Sequence, residues 1–337
     1  MRSHDGGRAF LALVTFFVLL GLVASPALAV PIGSLSQVFV FGDSIVDAGN
    51  TQNALGGPSA TPCLINGGAI PCDPAPASFG YFDGRFTNGP NAADFVNQAV
   101  SGGNSVATTE GGTNYSYGGA RALGGSLPDL SLQVGQFMLD VSGVADANAL
   151  YVINIGGNDV RDHVQAVEAG TATQTDQQVI DAVLGAITAQ VTALQSAGAQ
   201  HILVNGVGDV GSIPETLLLG GGAPVHGRAF SQNLSGQLFA VLDPSVHTLD
   251  VISLFDDVQL NPALYGLPAG INVTGSCLTQ GSPPACSNFA FFDTVHPSTE
   301  LNSILADGML AAIPEPGTGL LVGLGLAVMS ARRRPRA

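Results

Sequence analysis

A chain of 337 residues is long enough for one large domain with a sizeable core. It contains no Lys, and ten Arg face 25 acidic residues, a formal net charge of −15 at pH 7. Such a surface repels phosphate backbones and argues against nucleic-acid binding. Without Lys there is no Walker-type phosphate loop and no Schiff-base amine.

At the N-terminus, Arg2 and Arg8 precede an apolar run from Ala9 to Val23, followed by Ala27-Leu28-Ala29. Small residues at those two Ala positions are what a signal peptidase reads, so residues 1–29 are expected to be a cleaved secretory signal. The run is short for a membrane span. Val38-Phe39-Val40-Phe41 then predicts a fully buried strand. Gly42-Asp43-Ser44 end it, placing Ser44 at the carboxyl end of a strand, where open α/β sheets bind their ligands.

Residues 51–80 are rich in Gly, Pro and Ala and predict a long loop. Tyr81 to Gly89 predicts a turn in which a carboxylate holds Arg85. A short helix is expected over Asn91–Val100 and a short strand over Thr113–Tyr117, ended by Gly118-Gly119. Leu130, Val134, Phe137, Met138 and Val141 fall at helical spacing and read as core. Ala149–Ile155 is a second buried strand, ending at Gly156-Gly157-Asn158-Asp159. Val179 through Leu194 marks a long amphipathic helix stopped by Gly198.

His201–Asn205 is a third buried strand. The Gly206-Val207-Gly208-Asp209-Val210-Gly211 that follows matches a dinucleotide-binding pattern, but Pro214 interrupts the required helix and no acidic residue ends a following strand. Phe230, Leu234, Leu238 and Val241 predict another helix, Leu249–Leu254 a last strand, and Ser298–Ala312 a closing helix capped by Ser298. Strands alternating with helices imply a parallel sheet covered on both faces.

The four cysteines form two local pairs, Cys63 with Cys72 and Cys277 with Cys286, each enclosing eight residues. In an exported protein these read as two small disulfide loops, although three connectivities are formally open. A zinc site is the weaker reading, because no His lies near either pair.

The C-terminal end carries Pro314-Glu315-Pro316, an apolar stretch from Thr318 to Ser330, and Arg332, Arg333, Arg334 and Arg336. Basic residues after an apolar segment stay on the cytoplasmic side. The three parts resemble the PEP-CTERM sorting signal of Gram-negative bacteria. The resemblance implies handling by an exosortase-type protease after signal peptidase, with transient membrane association through residues 314–337. The destination would be the cell surface or extracellular matrix, and residues 30–313 would form the functional domain. Between the two ends only four Arg remain against 23 acids, which suits an exported soluble domain.

Acyl transfer needs a nucleophile, a base, a group that orients the base, and donors for an oxyanion. Ser44 fits the first. Among the six His, His4 lies in the leader, and His163, His201, His226 and His247 lack a paired context. His163 has Asp162 beside it, but adjacent side chains point apart. His296 differs, because Asp293 stands three residues upstream, close enough for a turn to bring carboxylate and imidazole together.

Four blocks in order resemble the GDSL-type, or SGNH, hydrolase family. They are Phe41-Gly42-Asp43-Ser44 with Asp47 and Asn50, Asn114-Tyr115-Ser116-Tyr117-Gly118-Gly119-Ala120, Gly156-Gly157-Asn158-Asp159, and Asp293 with His296-Pro297. Asp83-Gly84-Arg85-Phe86 is also like that of longer members. The resemblance implies a flavodoxin-like three-layer α/β/α sandwich with a five-stranded parallel sheet. It further implies a serine esterase for carboxylic esters, with short acyl esters, lipid esters and acetylated polysaccharide all open as substrates, that needs no metal or organic cofactor. Ser44 would be the nucleophile, His296 the base and Asp293 its orienting acid. The N–H groups of Ser44 and Gly118, or of the adjacent Gly119, and the Asn158 amide would form the oxyanion hole. No Gly-x-Ser-x-Gly elbow is present, which argues against the ordinary α/β-hydrolase fold. The rival reading is a non-catalytic surface or matrix-binding protein on the same fold.

Overall fold

Three apolar runs become adjacent strands of one sheet, because a strand covered by helices on both faces can be apolar at every position. A computed structural model describes residues 30–55, 62–65, 68–71, 77–124, 128–280 and 286–313. The leader, the sorting tail and Cys72 therefore lie outside the described residues. In chain order the strands are β1 (Val38–Gly42), β2 (Pro62–Ile65), β3 (Gly68–Pro71), β4 (Leu150–Asn154), β5 (His201–Asn205), β6 (His247–Leu249), β7 (Asn272–Ser276) and β8 (Phe289–Phe291). The helices are α1 (Asn50–Ala54), α2 (Ala92–Ser101), α3 (Leu130–Asp140), α4 (Gly157–Glu168), α5 (Asp176–Ala197), α6 (Pro214–Leu219), α7 (Ala223–Val241), α8 (Val251–Leu260), α9 (Cys277–Gln280) and α10 (Thr299–Ala311).

The main sheet is parallel throughout, in the order β1-β4-β5-β6. Phe39 and Phe41 of β1, Tyr151 and Ile153 of β4, and Ile202 and Val204 of β5 enter one core cluster with α3, α5 and α7. Their period of two along each strand puts them on one face. On the other side α2 packs on β1 and on α10. The result is three layers, as expected for the α/β/α sandwich, and Ile32–Ile313 is one compact unit.

Three expectations are corrected. Residues 51–80 are not loop throughout, because β2 and β3 pair there as an antiparallel ladder. Among the described residues the main sheet has four strands, not five. Segment 113–117 lies along the outer edge of β1, where Val40 N donates to Thr113 O (3.1 Å), Tyr115 N to Val40 O (2.7 Å) and Tyr117 N to Gly42 O (3.1 Å). It pairs as an isolated bridge at Asn114. The Asn114 side chain turns to Val46 O and to its own segment, and such local bonds compete with a regular ladder. The strand expected over 249–254 ends at Leu249, because Asp250 accepts from Ser253 N (3.1 Å) and opens α8 instead.

Helix α5 is long and apolar enough to cross a membrane, but Val179, Ile180, Val183, Ile187, Val191 and Leu194 form its buried stripe against the sheet layer. Ser298 does stand at the N-cap of α10, yet its hydroxyl is buried without a partner among the described residues. The Asn88 side chain accepts from Thr299 N instead (3.0 Å). Cys277 and Cys286 are joined by a disulfide with Cα atoms 5.6 Å apart.

Candidate active site

Strand β1 delivers Ser44, the loop after β8 delivers Asp293 and His296, and the start of α4 delivers Asn158. The Asp293 Oδ1 atom accepts from the backbone N–H groups of Val295 (2.8 Å) and His296 (2.7 Å). That turn places Oδ2 at 2.7 Å from His296 Nδ1. The opposite ring nitrogen, Nε2, is 2.7 Å from Ser44 Oγ. Nucleophile, imidazole and carboxylate therefore stand in line, although 252 residues separate Ser44 from His296.

The loop that carries the pair is tied at its base. Phe292 N donates to His296 O (2.8 Å) and Ser298 N to Ala290 O (2.9 Å). Behind it, Phe292 packs edge-on to Tyr81 with ring centroids 4.7 Å apart, in a buried cluster with Cys277, Cys286 and Phe289. The disulfide thus stiffens the wall on which Asp293 stands. Tyr81 reaches from that wall to donate its hydroxyl to Asp293 Oδ2 (2.8 Å). Burial and the neighbouring carboxylate push the Tyr81 phenol upward, so it stays protonated as a donor. Burial alone would raise the Asp293 carboxyl, but His296 and the two backbone N–H groups hold it below its ordinary value.

Asn158 is buried, and its Nδ2 donates one hydrogen to Ala120 O (2.9 Å). An amide nitrogen has two hydrogens, so one bond fixes the side chain and leaves the second for a ligand. Asp159 beside it accepts from Ala122 N (2.9 Å) and Leu123 N (3.2 Å), pinning the 120–123 loop to α4. Burial raises the Asp159 carboxyl to about 6 against those two bonds.

Gly118 stands differently from the oxyanion role expected of it. Its N–H donates to Asp47 Oδ2 (3.0 Å) and Thr51 Oγ1 (2.6 Å), so it is already committed. Asp47 also accepts from Gly49 N and Asn50 N, and Asn50 Nδ2 holds Asn114 O and Ser116 O. These buried bonds fix the 114–118 segment against the Ser44 loop. Gly119 follows with φ of +76°, and among the described residues its N–H has no protein acceptor. A side chain at Gly118 would run into Phe86, whose ring lies 5.0 Å from the His296 ring. Arg85, next to Phe86, is buried and paired with Asp94 through Nε (3.1 Å) and Nη2 (3.0 Å). The expected carboxylate partner of Arg85 is thus Asp94, joined by Asp83 at 3.2 Å from Nη1.

Ser44 opens into a cavity of about 150 Å³. Its lining joins Ser44 and Asn158 to Ile155, Val207, Val251, Phe255, Leu301 and Leu305, with Gly206 and Gly208 contributing backbone. The glycine pattern after β5 therefore gives the cavity a close backbone wall. Asp43 also borders it, buried, with one oxygen accepting from Ile45 N (3.1 Å) and Asn154 Nδ2 (3.3 Å). Burial outweighs those bonds and the His296 field, and lifts the Asp43 carboxyl to about 6.

Phe86 entered the sequence reading only as a member of the Asp83-Gly84-Arg85-Phe86 block, and Tyr81 and Thr51 were not singled out in the sequence. Their only signal was proximity to the Asp83-Gly84-Arg85-Phe86 and Gly42-Asp43-Ser44 blocks. Of the histidines read as structural, His163 meets Asp176, and Asp162 pairs with Arg121 (2.6 Å). The Cys63 and Cys72 pairing rests on residues outside those described.

The profile of the GDSL-like lipase/acylhydrolase family matches residues 38–309, and that of the PEP-CTERM protein-sorting motif matches residues 312–334. A Pseudomonas putida protein from the trpE–trpG intergenic region is 27% identical over 332 residues, covering 88% of this chain and 51% of its own. The chain thus spans about half the length of that relative. An Arabidopsis thaliana protein named GDSL esterase/lipase 7 is 26% identical over 321 residues, covering 80% of this chain and 85% of its own. Among solved structures, an acetylxylan esterase from Geobacillus stearothermophilus aligns with a TM-score of 0.39 at 16% identity, over 84% of this chain and 96% of that one.

Proposed function

The chain belongs to the GDSL-like lipase/acylhydrolase family, and from that premise we propose that it is an exported serine esterase for carboxylic esters with a medium-length aliphatic acyl group. Ester hydrolysis follows from the family, and the sorting motif marks the chain for export and surface sorting in Gram-negative bacteria. The acyl preference rests on one observation, the apolar cavity that opens at Ser44. An apolar cavity of about 150 Å³ holds a benzene-sized guest, so this one suits a chain of roughly six carbons.

Ser44 Oγ attacks the ester carbonyl while its proton passes to His296 Nε2. Asp293 keeps the imidazole proton on Nδ1 and stabilises the imidazolium. The carbonyl oxygen becomes an oxyanion received by the Asn158 amide and the N–H groups of Ser44 and Gly119. Gly119 takes the place expected of Gly118, whose N–H serves Asp47. His296 then protonates the departing alcohol, leaving an acyl-Ser44, and water delivered through the same base releases the acid. Residues 1–29 act as a cleaved signal. Cutting of the 314–337 tail by an exosortase-type protease leaves the enzyme at the surface or in the matrix.

The test is hydrolysis of chromogenic esters of graded acyl length by the purified protein and its Ser44→Ala variant. Each methylene buried in the cavity is worth about 0.8 kcal/mol, or about fourfold in kcat/KM. The profile should climb from acetate and turn over once the cavity is full. A profile that is highest for acetate and falls with length would exclude the acyl pocket while leaving the esterase intact.

A further inference from the structure

We propose that His163, Asp176 and His226 form a binding site for a divalent transition-metal ion, zinc above all, that clamps α4, α5 and α7 together. His163 Nε2 lies 2.9 Å from Asp176 Oδ1, and His226 Nε2 lies 2.9 Å from Asp176 Oδ2. The ligand atoms of all three residues fall within 4.8 Å of one another. They come from three helices, and 50 residues separate Asp176 from His226. Two imidazoles and one carboxylate are a ligand set zinc favours, with a fourth position left for water.

The surroundings suit a metal. The Phe230 ring stacks on His226 at 9° with centroids 5.9 Å apart and lies 5.2 Å from the His163 ring, giving both imidazoles one dry wall. His163 is 7% exposed, whereas the Asp176 side chain is 46% exposed, so an ion can enter from the carboxylate side. Among the described residues Asp176 has no Arg partner, and its only ion-pair partners are the two imidazoles. The position of Asp176 in the first turn of α5, behind a Thr175 capping box, explains an acid there. It does not explain two histidines from other helices aimed at it.

Ligand atoms about 2.0–2.1 Å from a four-coordinate zinc stand about 3.3 Å apart. The two hydrogen-bonded pairs, each at 2.9 Å, must therefore open by roughly 0.4 Å, and the widest pair, within 4.8 Å, must draw in to the same spacing, movements within reach of the half-exposed Asp176 side chain. On binding, each neutral imidazole presents a bare Nε2 and carries its proton on Nδ1. Two N–H···O bonds are exchanged for metal–ligand bonds, and no redox step is involved. Helix α4 also carries Asn158 in its first turn, so the ion would brace the element that supplies the oxyanion donor from five residues downstream.

The experiment uses the full protein stripped with a chelator, then titrated with Zn²⁺ and separately with Co²⁺. At a hundredfold excess over Kd, zinc should raise the unfolding midpoint by about 5 °C or more, with one ion bound per chain. Co²⁺ should give the visible absorption of a four- or five-coordinate site. Both signals should vanish in His226→Ala and persist in His296→Ala, which separates this cluster from the catalytic imidazole. Asp176→Asn is the second probe should His226→Ala fold poorly, and it too should lose the signals. An absent response in the parent would leave a hydrogen-bonded His–Asp–His triad only and overturn the proposal. So would a response unchanged in both His226→Ala and Asp176→Asn, or one lost only in His296→Ala.

Discussion

Two places in this molecule set imidazole against an aspartate, and they are built for opposite ends. At Asp293 one imidazole is held at 2.7 Å, and every other acceptor site on the carboxylate is filled by backbone N–H groups and the Tyr81 hydroxyl. The far nitrogen of His296 is left facing a hydroxyl. At Asp176 two imidazoles share a half-exposed carboxylate, one on each oxygen. The first arrangement directs a single ring at Ser44 and suits proton transfer. The second points two nitrogens inward and suits a cation. Residue type is the same in both, and the third partner decides the chemistry.

The comparison breaks most sharply at the nucleophile. Ser44→Ala should lower kcat by on the order of 10⁵–10⁶-fold with the circular-dichroism spectrum unchanged, whereas His226→Ala should leave kcat within about twofold. Next come the two carboxylates. Asp293→Asn should cost about 10⁴-fold in kcat by letting the imidazole adopt the wrong tautomer; Asp176→Asn should leave ester turnover within about twofold. Equal losses in the two Asn variants, measured by initial rates, would abolish the distinction.

Smaller effects sharpen it. Asn158→Ala should lower kcat by about 10²–10³-fold, some 2.7–4 kcal/mol, with KM little changed. Asp43 offers a test through stability. Burial raises its folded value to about 6 from 3.8, so its contribution is present at low pH and is lost as pH rises through 6. Asp43→Asn should therefore gain on the parent by about 2 kcal/mol between pH 4 and pH 7, read from denaturant unfolding at each pH. A difference that does not change with pH would mean that Asp43 is charged throughout.

The mildest change is Tyr81→Phe. Losing one donor to a carboxylate should reduce kcat/KM by roughly three- to tenfold. An unchanged kcat/KM in initial-rate assays would give Tyr81 a packing role only.

Much of this was legible in the sequence because its causes are local. The apolar runs at 38–41, 150–153 and 201–204 need only burial on both faces to become strands. The stripe from Val179 to Leu194 needs only a period near 3.6. Asp293 and His296 lie three residues apart, and a turn of that size can be read from the chain. Cys277 and Cys286 are likewise neighbours. What was not legible depended on partners distant in sequence. Gly118 and Gly119 are equivalent as letters; only the approach of Asp47 and Thr51 shows which N–H is taken. Tyr81 meets Asp293 across 212 residues, and no periodicity marks it.

By itself, then, the sequence determined the order of the three apolar strands, the layered class, the C-terminal sorting motif and which residue types could perform acyl transfer. Those properties follow from hydrophobic period, turn chemistry and short-range spacing, which act within a few residues. The tertiary structure decided that a fifth strand shrinks to a bridge, that Ser44 opens into an apolar cavity, and that His163 and His226 converge on Asp176. Each of these requires separate elements to be packed at fixed distances, and that geometry is set by the whole core rather than by any one segment of it.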